Sequence, residues 1–409
     1  MDSTGKIVDD RIVSDAHPLE AAESGLTARW WWRGDLFFDE LERRINHSSK
    51  SIRLEFYIFH ADALGRRVLG ILAAAARRGC RVQVLVDGLH SPAISSGFWQ
   101  PLIEGSGQVG IFSHRSSRHP WIRNHRKLVV VDDQWAAVGG FNVAEEYGGD
   151  GHHQGWLDCG LSMEGPAVGI LAIDFDRMWS RVSTETGPHR IHHEWIRPNR
   201  LSLNGEFELL RSGPGQIGRS IPSALCRDVR RPGDIALVAA YFLPGIRLRR
   251  ALLRAARSGR RVQILLPGIT DVPLARRAGR YLYHRFLKAG VEIYEYQPRI
   301  LHAKLYVAGG AAYVGSANLD VRSLRLNHEL MVRTLRPPLV SEALQTFRSW
   351  LALSERIDPN TWATSRGVWE KLQEKIDFWV LARLDPFISR QLDASEIHPE
   401  EPNQAPDGE

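Results

Sequence analysis

Residues 125–142 read HRKLVVVDDQWAAVGGFN, and residues 302–318 read HAKLYVAGGAAYVGSAN. Each stretch opens on His-x-Lys and continues through an apolar run to a turn, at Asp132-Asp133 or at Gly309-Gly310. Each then returns through a second apolar run, to Gly139-Gly140-Phe141-Asn142 or to Gly315-Ser316-Ala317-Asn318. Side chains two apart on a strand share a face. His125 and Lys127 therefore point the same way as Val129 and Val131, while Leu128 and Val130 fill the opposite face. The pattern predicts the same hairpin twice, closed each time by Gly-small-x-Asn.

The duplication extends upstream. Ala75–Gly88 reads AARRGCRVQVLVDG and Ala255–Gly268 reads AARSGRRVQILLPG, identical at nine of fourteen positions at an offset of 180. Repetition at one offset, with later motifs in the same order, argues for two copies of one unit. Each copy ends an Ala- and Arg-rich helix at Gly79 or Gly259, where a left-handed residue closes the last turn. A strand follows, Val82–Val86 or Val262–Leu266, and another precedes the helix, Ile52–Phe59 or Ile235–Leu243. Strand–helix–strand units with apolar strands predict an α/β protein of two pseudo-symmetric halves. Each half is expected to be a mostly parallel mixed sheet flanked by helices, an α-β-α sandwich. The expected boundaries are an acidic N-terminal segment 1–27, halves at 28–180 and 205–350, a linker 181–204, a helical segment 351–392 and an acidic tail 393–409.

Composition fits this reading. The chain has 409 residues, 43% hydrophobic and 24% charged, a globular balance that excludes low-complexity and collagen-like classes. Three separated cysteines, Cys80, Cys159 and Cys226, exclude a disulfide framework and point to a reducing compartment. No apolar run approaches the roughly 18–20 residues of a membrane span, and the acidic start lacks a signal peptide's pattern. The net charge of +6 is unevenly placed. The two end segments carry −4 and −6, which leaves +16 on residues 28–392. A body this basic attracts polyanions: anionic lipid, nucleic acid or phosphorylated substrates.

The residue types of the two hairpins suit a phosphodiester. Histidine serves near neutral pH as nucleophile or general acid. Lysine offers positive charge to phosphoryl oxygens. Asparagine and serine donate hydrogen bonds, and glycines such as Gly140 let backbone N–H groups approach closely. Two such sets meeting at a pseudo-two-fold axis would surround one phosphate.

At these residues the chain resembles the phospholipase D superfamily, marked by a duplicated H-x-K-x4-D followed by G-[GS]-x-N. Within it the chain is most similar to bacterial cardiolipin synthases, especially the short kind without N-terminal membrane spans. Glu55–Phe59, Trp156-Leu157-Asp158, Tyr241–Pro244, Asn318–Ser323 and Asn327–Leu330 carry the likeness further. The resemblance implies phosphatidyl transfer from phosphatidylglycerol to form cardiolipin, through a phosphohistidine. It implies His125 as nucleophile and His302 as general acid/base. Lys127, Lys304, Asn142 and Asn318 would hold phosphoryl oxygens with Ser316 assisting, and no cofactor or metal would be needed. It further implies a carboxylate behind each imidazole, Asp158 following His125 and Glu329 following His302. The alternative is a phosphodiesterase of the same fold hydrolysing lipid or nucleic acid; the fused halves disfavour nucleic acid. The expected setting is peripheral, on the cytoplasmic face of a bacterial inner membrane. One departure stands out. Asp132 completes the first motif, whereas Gly309 takes the aspartate's place in the second and the hairpin is a residue shorter.

Other features carry expectations of their own. The stretch 114–127, with Arg115, Arg118 and Arg123 around Trp121, reads as a basic lip for anionic headgroups. Trp30-Trp31-Trp32 fits either an interfacial anchor or a first strand with one buried face. Trp369, Leu372, Ile376, Trp379, Val380 and Phe387 fall near one helical stripe, expected to pack on the protein body rather than on a membrane. His189, His192, His193 and Glu194 lack a regular metal-ligand spacing.

Overall fold

The computed structural model describes residues 25–89, 91, 97–112, 121–183, 200–214, 220–362 and 364–397. Arg115, Arg118, the histidines near position 190 and most of the linker and end segments lie outside these.

The first half forms a seven-stranded sheet. Strands β2 (Ser51–Phe56), β3 (Arg81–Asp87) and β4 (Gln108–Phe112) are parallel. The predicted hairpin is β5 (Leu128–Val131) and β6 (Trp135–Gly139), joined antiparallel to β2. Strands β7 (Gly160–Glu164) and β1 (Thr27–Trp31) complete the order β1-β7-β6-β5-β2-β3-β4. The second half repeats this plan. Strands β9 (Phe207–Ser212), β15 (Glu329–Thr334), β14 (Ala311–Gly315), β13 (Leu305–Ala308), β10 (Ile235–Val238), β11 (Val262–Pro267) and β12 (Glu292–Tyr296) lie in the corresponding order. Short strands β8 (Arg200–Ser202) and β16 (Ser354–Arg356) extend its two edges to nine strands.

The two-half α/β plan and the mixed sheets agree with the sequence reading, but the proportion of parallel pairing does not. Only β2-β3-β4 and β10-β11-β12 pair in parallel; all other neighbours are antiparallel. Strands joined by a turn of two or three residues can pair only antiparallel, and the repeated hairpin contributes two such strands to each sheet.

Helices α1 (Gly34–Asn46), α2 (Ala63–Arg77) and α3 (Gln100–Glu104) cover the outer face of the first sheet through Phe37, Leu72 and Leu102. Helices α5 (Ser220–Val229), α6 (Ile246–Arg257) and α7 (Pro273–Leu287) cover the second through Leu225, Leu252 and Phe286. Between the sheets lie α4 (Gly169–Ser183) and α9 (Pro337–Ala352), whose Phe175 and Phe347 share one core with both sheets. The alternation in β5 holds: Leu128 and Val130 face this shared core, Val129 and Val131 the outer one. Gly79 and Gly259 are left-handed, with φ of +94° and +83°.

Two surface expectations are settled here. Trp30, Trp31 and Trp32 are buried, the last two indole N–H groups donating to Ser162 and Glu342. They are a packed edge strand, not an anchor. The C-terminal helix, α10 (Val368–Ile397), does pack on α7, but through Glu374, Asp377 and Phe378. Its apolar stripe faces outward: Trp369, Leu372, Ile376, Trp379 and Val380 are exposed.

Candidate active site

The two halves meet through a pair of matching backbone crossings. The Leu157 N–H donates to the Ile300 carbonyl (2.9 Å), and the Leu157 carbonyl accepts from His302 N–H (2.8 Å). In the mirror position, His328 N–H donates to the Arg123 carbonyl (2.8 Å), and its carbonyl accepts from His125 N–H (2.9 Å). The residue after each crossing is a carboxylate. Asp158 is thereby delivered to His302, and Glu329 to His125.

This reverses the expected pairing. Asp158 Oδ2 lies 2.6 Å from His302 Nδ1, and Glu329 Oε2 lies 3.0 Å from His125 Nδ1. Spacing along the chain suggested that each carboxylate serves its own half. The backbone crossings send each to the other half instead. An ionised Asp158 can only accept, so His302 Nδ1 carries the hydrogen and its Nε2 keeps the lone pair, while Glu329 Oε2 and His125 Nδ1 share one hydrogen between them.

Lys127 and Lys304 stand beside the rings. Lys127 Nζ donates to the His125 carbonyl at 2.7 Å, and Lys304 donates to the His302 carbonyl. Lys304 Nζ also lies against the His302 ring, 2.8 Å from Nδ1 and 2.9 Å from Nε2. All four side chains are buried. Burial, reinforced by Lys304, lowers the His302 imidazole to about 4, against the pull of Asp158. Burial and the neighbouring lysines likewise hold His125 well below its ordinary value. Both lysines are lowered too, chiefly by burial. Burial raises the Glu329 carboxyl to about 8, opposed by Lys127 and the Ser316 hydroxyl. Both histidines are therefore neutral at neutral pH, the state a nucleophile requires.

The asparagines and glycines behave differently from one another. Asn142 anchors its carbonyl oxygen on the Ile58 N–H (3.1 Å), and its Nδ2 has no hydrogen-bond partner among the described residues. Asn318 is buried with its Oδ1 likewise unsatisfied. Gly140 was expected to offer its N–H to substrate, but that group donates to the Cys159 carbonyl at 3.0 Å. Its need for glycine is steric, because a Cβ there would sit 2.0 Å from Asp158 Oδ1. Ser316, expected on a phosphoryl oxygen, donates its hydroxyl to Glu329. Both residues thus support the carboxylates.

Asp132 braces its hairpin. With φ of +54°, it turns its carboxylate onto the N–H groups of Ser49, Lys50 and Ser51 at 2.8–2.9 Å, tying the hairpin to the strand beside it. Burial would raise this carboxyl, but the three donors outweigh it and hold it below its ordinary value. In the second half Gly309 has φ of +56°, and a Cβ would meet the Asp228 carbonyl at 2.5 Å. The α5–β10 connection packs directly on the turn, leaving no place for an aspartate.

Behind the site, Arg126 is buried, not part of an open lip. It pairs with Glu55 (3.1 Å) and Asp174 (2.6 Å), and Asp174 also binds Arg211 of the second half (2.7 Å). Arg123 is half-buried, 3.8 Å from Asp87. The sequence reading missed the aromatic walls. Tyr57 stands edge-on to His125 (4.6 Å between centroids), and Tyr147 and Trp156 flank His302 at 5.2 and 5.7 Å. Tyr57 and Trp156 lie in the quoted motifs, yet nothing in their spacing says which ring they touch. Among the described residues one group, His60, Asp62 and Glu146, could hold a metal ion. Asp62 there already caps α2 and binds the Glu145 N–H.

Paired His-Lys sets meeting between two like halves define a phospholipase D-type enzyme. Residues 41–150 and 226–351 match the family described as cardiolipin synthase, PLD-like domain, and the chain belongs to that family, a phospholipid phosphatidyltransferase. It is similar to the cardiolipin synthase of Geobacillus sp. (strain WCH70), 33% identical over 72% of this chain and 59% of that one. It is also similar to that of Listeria monocytogenes serotype 4a (strain HCC23), 29% identical over 83% and 71%. In fold it matches the crystal structure of phosphatidylserine synthase from Haemophilus influenzae Rd KW20. That match has a TM-score of 0.68 at 12% identity, covering 91% of this chain and 96% of that one. No helix among the described residues is long and apolar enough to cross a membrane.

Proposed function

We propose that the protein makes cardiolipin from two phosphatidylglycerol molecules by a two-step transfer through a phosphohistidine. The crossed histidine–carboxylate pairs carry this reading, because they hold two imidazoles at the junction of the halves, close enough for each to feel the other's charge. Nε2 of His125 attacks phosphorus; the P–N bond forms as the bond to the leaving glycerol oxygen breaks. His302 gives that oxygen a proton. It then takes the proton of the incoming hydroxyl, whose oxygen displaces His125 from phosphorus. Both lysines bond the carbonyl of their own histidine, but Lys304 Nζ also lies within 2.9 Å of both His302 ring nitrogens. A cation against its ring makes His302 the poorer nucleophile and favours His125 in that role. The phosphodiester's negative charge opposes the repulsion among both lysines and His302 and so favours the protonated His302 that must act as acid. Asn142 Nδ2 and the two ammonium groups would bind the phosphoryl oxygens.

The reaction belongs on a peripheral membrane surface, on the cytoplasmic face. Incubation with labelled phosphatidylglycerol vesicles tests the proposal. It requires labelled cardiolipin and free glycerol in equal amounts. Phosphatidic acid as the sole product would establish hydrolysis instead.

A further inference from the structure

Helix α10 is amphipathic with its faces reversed. Two of its acids point inward, while Glu370 in the first turn is exposed: Asp377 meets Arg277 of α7 (2.5 Å), and Glu374 meets Arg280 (3.8 Å) and Arg366. Phe378 packs on Tyr281, and Arg249 of α6 stands over its ring at 5.8 Å. Ion pairs thus fasten the helix to a basic surface, and apolar side chains are left outside. Val368, Trp369, Leu372, Ile376, Trp379 and Val380 recur at helical spacing over roughly 18 Å. Trp369 is 76% exposed and Ile376 51%. An outward apolar stripe of this length on a helix marks a docking surface.

We propose that α10 is the element that seats the enzyme on an anionic lipid surface. The inference rests on the phosphatidyl-transfer reading, for which it supplies the docking face. Charge favours lipid over a second copy of the chain. Lys371 and Lys375 are exposed beside the stripe, and Arg247, Arg250 and Arg254 are exposed on α6, a helix without a single acid. A like surface on a second copy would repel this one, whereas anionic headgroups complement it. Tryptophans flanked by lysines suit the boundary between headgroup and acyl chain.

Position favours it as well. Contacts 377 to 277 and 374 to 280 show that α10 runs antiparallel to α7. Its later turns therefore lie beside the start of α7, where Ile269 and Leu274 are also exposed. Just before that start, Asp271 accepts from Tyr241 (3.2 Å) and acts electrostatically on Lys304. Helix α10 also packs against α8 (Val321–Arg325), which begins three residues after Asn318. The stripe thus leads toward the candidate site.

The test uses the full chain and the double variant Trp369→Glu/Trp379→Glu. Co-sedimentation with phosphatidylglycerol and with phosphatidylcholine vesicles is measured at low and high salt. Turnover is measured separately on short-chain phosphatidylglycerol below its micelle concentration. Wild type should bind the anionic vesicles in a salt-sensitive way. The variant should bind them at least roughly tenfold more weakly while its short-chain turnover stays unchanged. Equal vesicle binding by both proteins would overturn the proposal. So would a wild-type dimer that the variant converts to monomer in sedimentation velocity, since a second copy would then cover the stripe. Should the variant misfold, Leu372→Cys carrying an environment-sensitive dye decides: its emission must shift blue on phosphatidylglycerol vesicles, and no shift overturns the proposal. If wild type leaves short-chain phosphatidylglycerol untouched, the transfer reading fails, and vesicle binding is still judged on its own.

Discussion

Replacing His302 by glutamine should change how stability depends on pH in a calculable way. The folded chain holds this imidazole near 4, against an ordinary 6.5, because burial and Lys304 both oppose its charge. Above pH 6.5 it is neutral in both folded and unfolded chains. Between 6.5 and about 4 only the unfolded chain takes the proton, so wild-type stability falls as pH falls through this window. Below about 4 both states are protonated and the loss is complete. At about 1.4 kcal/mol per pKa unit the full effect is about 3 kcal/mol. Glutamine cannot titrate, so His302→Gln escapes this loss. Asp87 and Glu329, raised by burial to about 6 and about 8, pull in the opposite direction. They are present in both proteins and cancel in the difference. Urea unfolding at pH 7, 6, 5 and 4, followed by tryptophan fluorescence, gives that difference. Whatever the offset at pH 7, the variant should gain about 3 kcal/mol on wild type by pH 4. Parallel stability curves would refute the argument that burial keeps His302 neutral.

Asp158→Asn places an amide donor where His302 Nδ1–H now finds an acceptor, so turnover should fall on the order of 10²–10⁴-fold. Its imidazole NMR signals should move for His302 and not for His125; the opposite pattern would restore same-half pairing. Asp174→Asn leaves Arg126 and Arg211 underpaired at the junction of the halves and should cost about 3–5 kcal/mol in urea unfolding, whereas a loss under about 1 kcal/mol would mean that the pairs matter little. Positive charge at the site comes from Lys127 and Lys304, and Asp158 and Glu329 are engaged by histidines. Turnover should therefore survive EDTA, and a loss restored by a divalent ion would contradict this.

The hairpins, the duplication and the residues gathered at the junction were legible because each rests on a local pattern: His-x-Lys on one face of a strand, glycine at a helix end, Gly-small-x-Asn at a strand exit. What depends on how the halves meet was not. The crossing of Asp158 and Glu329 is set by the backbone bonds of Leu157 and His328 to the opposite half, which no spacing within one half reveals. Arg126 reads as one basic residue in a basic loop until Asp174, 48 positions away, is brought against it. Trp30–Trp32 and the α10 stripe look alike in sequence, since both are aromatic-rich and flanked by charge. Trp30 and Trp32 are buried against α9 and Trp31 against Ser162 and Phe37, whereas Trp369, Leu372 and Ile376 are exposed, a distinction only tertiary packing makes.

The most direct test is to quench the reaction in alkali, where a phosphohistidine survives, and to map the labelled residue. With phosphatidylglycerol labelled at phosphorus and in its acyl chains, the quenched wild type should carry a phosphatidyl group on His125, and His302→Ala should form that adduct far more slowly, because the acid needed for the first step is missing. His125→Ala should form no adduct. Label on His302, or transfer by either variant near the wild-type rate with no adduct at all, would contradict the two-histidine account.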